Sequence, residues 1–463
     1  MKAWASFVLL LAIARPAAWA QDASGDWIGH LPSGFRVLVH IDKVGHGYSG
    51  VLINPSDNQT PLDDITANGR HLHFGATALG LGYDGDWDAG RKAWHGQLTF
   101  QKTYPLDLHH ATDAELYPAP PKRPQEAAIQ AGPRPYTSRD VLFPNQRAHV
   151  TLAGTLSVPS GKGPFPAVVL VSGTGHNTRD ETVWNHQVFL VLADALNRAG
   201  VAVLRYDKRG VGGSSGDYDA ATTADFASDA DAAVAWLRRQ PGIDANRIGV
   251  LGHSEGGVIA PMVADRDPNV AFVVTIAGPA IRGDRLFVLQ SAMTAKAYGA
   301  PDEYIARRKL FDQRLYDAII AAPSAQAARK RADALVAQGI KDKTVDPNEA
   351  KNLATDVTSS WERYFLAYDP APALRKLTVP ILALNGSLDL QVPAQDDLVA
   401  MRQALAHNPH ATIVEMPGMN HLLQDAKTGA PNEYNGIEET MSPRALNLIC
   451  DWVKRWSRSS KKG

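Results

Sequence analysis

Arg247-Ile248-Gly249-Val250-Leu251 leads into Gly252-His253-Ser254-Glu255-Gly256, and that into Gly257-Val258-Ile259-Ala260-Pro261-Met262-Val263-Ala264. The first segment has the composition of an apolar strand and the last has the pattern of a helix. Between them a serine stands among glycines, the residues that accept the backbone angles of a sharp strand-to-helix turn at least cost. A serine held at such a nucleophile elbow has its hydroxyl pushed clear of the sheet, as an acyl transfer requires. The pentapeptide alone is short enough to arise by chance, so the segments around it decide the reading.

Apolar runs of strand length recur on both sides: Val150 to Val158, Pro166 to Val171, Val201 to Tyr206, Val270 to Ile276, Pro380 to Leu384 and Ala411 to Glu415. Helical spacing fills the intervals, as at Phe189-Leu190, Leu192-Ala193 and Leu196 ahead of Gly200, and from Phe226 to Leu237. Strands apolar on both faces that alternate with helices predict an α/β domain over about 137–460, its mostly parallel sheet covered on both sides. The interval 281–378 is rich in Ala, Arg and Lys and has no convincing strand. It predicts a helical lid inserted between two strands, since a structureless loop of that length is rare inside a compact domain.

Residues 24–112 differ in kind. Short alternating runs such as Phe35 to Ile41 and Arg70 to Phe74 are separated by Gly, Asn and Asp. An aromatic residue precedes glycine at Trp27-Ile28-Gly29, Tyr48-Ser49-Gly50, Tyr83-Asp84-Gly85 and Trp94-His95-Gly96. The pattern predicts a small antiparallel β domain, with these steps marking its turns. Six prolines within 113–136, from Pro118 to Pro135, predict a semi-rigid linker without regular structure.

The chain has 463 residues, 44% hydrophobic and 21% charged, with 47 Lys and Arg against 48 Asp and Glu. That is globular composition with length for two or three domains, and it lacks the basic excess of a nucleic-acid partner. Met1-Lys2, the apolar run Ala3 to Ala14, and Ala18-Trp19-Ala20 before Gln21 follow the order of a secretory signal peptide. They predict cleavage after Ala20, export across the inner membrane, and a periplasmic or extracellular mature protein. The leading run is too short to span a bilayer, and no later apolar stretch of about 20 residues exists, so no stable membrane anchor is expected. Cys450, the single cysteine, falls in the apolar pattern of a last helix and reads as a core residue. No metal-ligand spacing accompanies the elbow, so neither metal nor cofactor is expected.

A serine nucleophile needs a base, and the base needs a carboxylate to orient it. Asp389 lies in Leu384-Asn385-Gly386-Ser387-Leu388-Asp389, just after one apolar strand, and His421 in Pro417-Gly418-Met419-Asn420-His421, just after the next. Each would stand at the carboxyl end of its own strand, where open α/β sheets place their sites. Position singles out His421 among 15 histidines. His253, His407 and His410 lack that placement, and His253 is expected to turn to the sheet's other side or into the packed elbow. Two backbone amides are expected to hold the oxyanion: that of Glu255 at the helix start, and that of Thr174 in the turn Ser172-Gly173-Thr174-Gly175.

With these residues in order, the region from Val150 to Trp456 resembles the α/β-hydrolase superfamily, most closely its serine-aminopeptidase and monoacylglycerol-lipase-like branch. Asp207-Lys208-Arg209-Gly210-Val211-Gly212-Gly213-Ser214, after the strand that ends Arg205-Tyr206, is similar to a structural turn of that branch. Ser172 stands where the family often has His-Gly, and Glu255 where Met or Gln often follows the serine; the second change is expected to alter only a side chain. A Ser-Gly-x-Gly loop followed by Arg179-Asp180-Glu181, behind a β-rich front segment, looks like that of secreted bacterial hydrolases. The resemblance implies a Ser254-Asp389-His421 serine hydrolase that works through an acyl-enzyme.

The expected substrate is a small carboxylic ester with a short or medium acyl chain, because Tyr298, Tyr304, Phe311, Trp361, Tyr364, Phe365 and Tyr368 of the lid can wall an apolar pocket. Two alternatives stay open. One is an aminopeptidase-like serine peptidase, with Asp302, Glu303 or Asp312 holding a substrate amine. The other is a secreted binding protein with an inert hydrolase domain, whose front domain recognises a glycan or cell-wall polymer.

Overall fold

The computed structural model describes residues 21–457 except 33–35, 54–58, 78–79, 101, 117–120, 346 and 348. The expected signal peptide lies outside the described residues. Two compact units divide the chain, Met1–Ala119 and Pro120–Gly463.

The front unit is an antiparallel sheet of strands β1 (Gly25–His30), β2 (Arg36–Val44), β3 (Gly47–Ile53), β4 (Gln59–Leu62), β5 (Asp64–Ala67), β6 (His71–Ala76), β7 (Leu81–Asp88), β8 (Ala93–Phe100) and β9 (Lys102–His110), followed by the short helix α1 (Asp113–Leu116). Their order is β4-β3-β2-β1-β9-β8-β7-β6-β5. Alternation puts Val37, Val39 and Ile41 of β2 in a core with Leu72 and Phe74 of β6, while His40, His71 and His73 face outward.

The aromatic-glycine steps lie inside strands β1, β3, β7 and β8, not at turns as the sequence suggested. Their glycines make room for neighbours. The Tyr83 hydroxyl crosses over Gly85 to donate to the Trp94 carbonyl at 2.9 Å. A Cβ on Gly85 would lie 2.3 Å from that hydroxyl, and one on Gly96 2.2 Å from the Asp84 carbonyl. Glycine inside a strand here marks close approach between chains.

The second unit begins with α2 (Pro124–Ala131), a helix inside the stretch expected to be an unstructured linker. Pro124 starts it, at a position where a missing N–H breaks no helical bond and the fixed φ suits the first turn. An eight-stranded sheet follows, in the order β10-β11-β15-β12-β16-β17-β18-β19. Its strands are β10 (Tyr136–Asn145), β11 (Val150–Pro159), β12 (Phe165–Val171), β15 (Ala202–Tyr206), β16 (Ile243–His253), β17 (Val273–Ile276), β18 (Ile381–Gly386) and β19 (Ala411–Met416), with a two-stranded ribbon, β13 (Thr182–Val183) and β14 (His186–Gln187), after β12. β10 and β11 run antiparallel to their neighbours; β15, β12 and β16 to β19 are parallel. β10, which carries only Val141, Phe143 and Asn145 buried, has no counterpart among the runs expected from the sequence.

β12 shows why the sheet is covered twice. Ala167, Val169 and Val171 enter a core with α4 (Thr223–Leu237) and α5 (Glu255–Arg266), whereas Val168 and Leu170 enter another with α3 (Val188–Arg198) and α14 (Pro443–Trp456), which holds Cys450. Each such fully buried Val or Leu contributes about 1.5–3 kcal/mol.

Between β17 and β18 lie α6 (Gly283–Ala297), α7 (Asp302–Ile320), α8 (Ala325–Lys341), α9 (Ala350–Asp356), α10 (Ser360–Ala367) and α11 (Ala371–Lys376). α6 to α10 share their own core around Leu315, Ile319, Ala332 and Leu366, whereas Leu374 of α11 joins the core of the main sheet. After β18 come α12 (Ala394–Ala404) and, beyond β19, α13 (Pro431–Tyr434). Among the described residues no helix is long and apolar enough to cross a membrane. The carboxyl ends of β12, β16, β18 and β19 share one sheet edge, which is where the candidate site lies.

Candidate active site

Ser254 joins β16 to α5 with φ 53° and ψ −118°, a conformation that costs a non-glycine residue about 1–3 kcal/mol. The turn closes only because its flanks have no side chains. A Cβ on Gly252 would lie 1.8 Å from the Gly256 carbonyl oxygen, and one on Gly256 1.9 Å from that of Val171. The Glu255 amide opens α5, and among the described hydrogen bonds neither it nor the Thr174 amide has a partner. Both are free to receive an anion.

Asp389 and His421 meet from separate strand ends. Asp389 Oδ2 lies 2.8 Å from His421 Nδ1, and Oδ1 accepts the backbone N–H groups of Gln391 at 2.8 Å and Val392 at 2.9 Å. The carboxylate, acceptor only, places the hydrogen on Nδ1 and leaves Nε2 as the basic nitrogen. Their loops are zipped together by Leu388 N–H to the Met419 carbonyl at 2.9 Å and Ser387 N–H to that of Met416 at 3.0 Å. Gly386 permits this, since a Cβ there would lie 2.2 Å from the Met419 oxygen.

A cavity of about 440 Å³ takes in Ser254, His421, Thr174 and Glu255. Leu286 and Phe287 of α6 and Trp361 and Phe365 of α10 supply much of its apolar wall. Of the other lid aromatics, Tyr298 and Tyr304 line a neighbouring cavity, and Phe311 is buried in the lid core. A serine hydroxyl, an imidazole oriented by a carboxylate and two free amides in one chamber can form an acyl-serine and hydrolyse it.

Four features are not visible in the sequence pattern. The Glu255 side chain is structural, not incidental: it pairs with Lys208 at 2.8 Å and accepts from Thr223 Oγ1 at 2.8 Å and Trp361 Nε1 at 2.5 Å. It thereby ties the elbow to α4, to the turn after β15 and to the lid. Lys208 lies 4.3 Å above the Phe226 ring. His253, expected at the sheet's other side or in the packed elbow, borders the same cavity as His421. Finally, the lid carboxyl on this cavity is Glu362. Burial, then the charges of Asp356 and Glu255, push it up to about 8.

The three acids proposed from sequence to hold an amine lie elsewhere. Asp312 is buried against Arg308 at 2.7 Å, Glu303 is paired with Arg307 at 2.8 Å on the surface, and Asp302 does not line the cavity. Among the described residues no cluster of three or more His, Cys, Asp or Glu could hold a metal ion.

Residues 168–431 match the Alpha/beta hydrolase family. Esterase EstD of Thermotoga maritima is 29% identical over 311 residues, which cover 65% of each chain. An uncharacterized protein of Mycobacterium tuberculosis is 33% identical over 150 residues, 31% of this chain and 49% of that one. This chain thus spans less than two thirds of the length of either relative. Among solved structures, an alpha/beta hydrolase of a Penicillium species aligns with 19% identity and a TM-score of 0.46, over 69% of this chain and 99% of its own.

Proposed function

Because the chain belongs to the alpha/beta hydrolase family, we propose that it is a serine hydrolase, and foremost a carboxylesterase acting on small esters of short or medium acyl chain. His421 takes the proton of Ser254 as the hydroxyl attacks the ester carbonyl, the Glu255 and Thr174 amides hold the oxyanion, and the alcohol leaves with a proton from His421. Water then releases the acid by the same route, with Asp389 stabilising the imidazolium in both halves. The observation that carries this reading is the 2.8 Å contact of His421 with Asp389 beside a serine held at positive φ. The apolar wall of Leu286, Phe287, Trp361 and Phe365 supports an uncharged acyl group.

One observation favours a second reading, a peptidase that captures a substrate amine. Glu362 is a largely buried carboxyl on the cavity, and a cationic amine would supply the countercharge that its ionised form lacks. Comparing p-nitrophenyl acetate and butyrate with aminoacyl p-nitroanilides, with Ser254→Ala as control, separates the two. Ester turnover without anilide turnover supports the first reading and the reverse supports the second. The leader-like opening of the chain supports export, which fractionation of expressing cells and N-terminal sequencing from Gln21 would test.

A further inference from the structure

The Arg179-Asp180-Glu181 segment divides its work. Arg179 bonds Asp207 through Nε at 3.0 Å and Nη2 at 2.8 Å, and Asp180 pairs with Arg205. Glu181 points the other way, to the elbow, from a backbone at φ 46° that few non-glycine residues adopt. Its Oε1 accepts the Gly173 amide at 2.5 Å and lies 3.0 Å from His253 Nδ1. Its Oε2 is buried without a hydrogen-bond partner among the described residues. His253 Nε2 lies 3.2 Å from the backbone carbonyl of His421. Glu181 and His253 are 1% and 3% exposed, so neither draws on bulk water.

The hydrogen inventory follows from these contacts. A carbonyl only accepts, so Nε2 of His253 carries a hydrogen and donates it to His421. Nδ1 faces an oxygen that already accepts from Gly173, so a second hydrogen lies between Nδ1 and Glu181. Burial alone would depress the imidazole, but the Glu181 charge and hydrogen bond, with the His421 carbonyl and more distant Asp389, hold it above its ordinary value.

The pair therefore reaches two moving parts of the proposed chemistry. Gly173 precedes Thr174 and lies against the nucleophile: a Cβ on it would be 3.0 Å from that of Ser254. Its carbonyl is held by Asn177 Nδ2 at 2.8 Å, and the Gly175 amide by the Tyr218 hydroxyl at 2.9 Å. With Gly173 engaged by Glu181 and Gly175 by Tyr218, the amide of Thr174, which lines the cavity, is left without a partner among the described hydrogen bonds.

We propose that Glu181 and His253 are a positioning pair that locks the Gly173-Thr174 turn to the loop carrying His421, so that the oxyanion donor and the base keep register around Ser254. The inference rests on Ser254 being the nucleophile. It makes both residues act through others, so their loss lowers kcat more than it changes KM. It also makes them one unit, so their losses do not multiply.

The test uses the full chain and p-nitrophenyl butyrate, with wild type, Ser254→Ala, Glu181→Gln, His253→Gln, His253→Ala and the Glu181→Gln/His253→Gln double variant, each checked by thermal melting. Glu181→Gln is expected to lose about tenfold to a thousandfold in kcat, the upper end being the loss of a whole oxyanion donor, with KM within about threefold. The double variant is expected to lose no more than about threefold beyond the worse single one. His253→Gln, whose amide can still donate to the His421 carbonyl, is expected to retain more activity than His253→Ala. Unchanged kcat in Glu181→Gln and His253→Ala overturns the proposal, as do losses that multiply in the double variant, or equal losses in His253→Gln and His253→Ala. Should the Glu181 variants not fold, the His253 comparison decides. An active Ser254→Ala would instead remove the nucleophile on which the inference stands, an outcome distinct from inactive Ser254→Ala beside an unimpaired Glu181→Gln.

Discussion

The rings of His253 and His421 stand 4.9 Å apart, centroid to centroid, and each has its own carboxylate, Glu181 for the first and Asp389 for the second. Only one of the two is available for chemistry. Both nitrogens of His253 face acceptors, whereas His421 engages Nδ1 and leaves Nε2 unpartnered among the described hydrogen bonds. Asp389→Asn should therefore turn His421 into the wrong tautomer and lower kcat by about 10⁴-fold, the size of such a loss in a Ser-His-Asp triad. Steady-state kinetics on a p-nitrophenyl ester checks it; a loss under tenfold would remove Asp389 from the mechanism.

Glu255 joins the elbow to the turn after β15 through a buried ion pair with Lys208, and to the lid through Trp361. Lys208 is 3% exposed and Glu255 1%, so Glu255→Ala leaves an ammonium with no countercharge. Removing one partner of such a pair costs about 3–5 kcal/mol. Denaturant unfolding of Glu255→Ala should show that loss, while Glu255→Ala/Lys208→Met should recover part of it. Recovery would be absent if the pair were already open to water.

Gly252 admits no side chain, because its Cβ would fall 1.8 Å from the Gly256 oxygen. Gly252→Ala should lower stability by about 4 kcal/mol or more, in the range of strongly destabilising single changes, or leave no folded protein. At Gly45 an added Cβ would meet nothing within 4 Å, but φ is 61°. Its change to Ala should cost only about 1–2 kcal/mol. Thermal melting of the two variants separates steric from conformational cost.

Glu362 gives stability a pH dependence of known sign. Its carboxyl ordinarily titrates at 4.5 and is pushed up to about 8 by burial first and by Asp356 and Glu255 next. Between those values the folded chain keeps a proton that the unfolded chain has lost, so this group makes stability fall as pH rises from about 4.5 to about 8. Glu362→Gln removes the effect. Its melting temperature relative to wild type should rise between about pH 5 and about pH 8, and a constant difference would mean that the carboxyl is solvated.

The strand ends were legible in the sequence because they are local. Apolar runs end at Val171, Leu251, Leu384 and Glu415, and the turns just beyond them carry Thr174, Ser254, Asp389 and His421. What was hidden depends on distance along the chain. Glu255 finds Lys208 and Trp361 across 47 and 106 positions, and His253 finds Glu181 across 72. No periodicity reports such pairings. β10 leaves no signal in the sequence because an outer strand with most residues exposed lacks an apolar run. The aromatic-glycine steps read as turns in the sequence, but their need for glycine arises from the neighbouring strand, as with Gly96 against Asp84.

Ser254 remains the residue on which the proposed chemistry turns. Incubating the wild-type chain with a fluorophosphonate, digesting it and locating the adduct by mass spectrometry tests it directly, with Ser254→Ala in parallel. A single adduct on the peptide carrying Ser254, absent from the variant along with ester hydrolysis, is the expected result. Ester hydrolysis that persists in Ser254→Ala, or an adduct on another residue, would place the chemistry elsewhere.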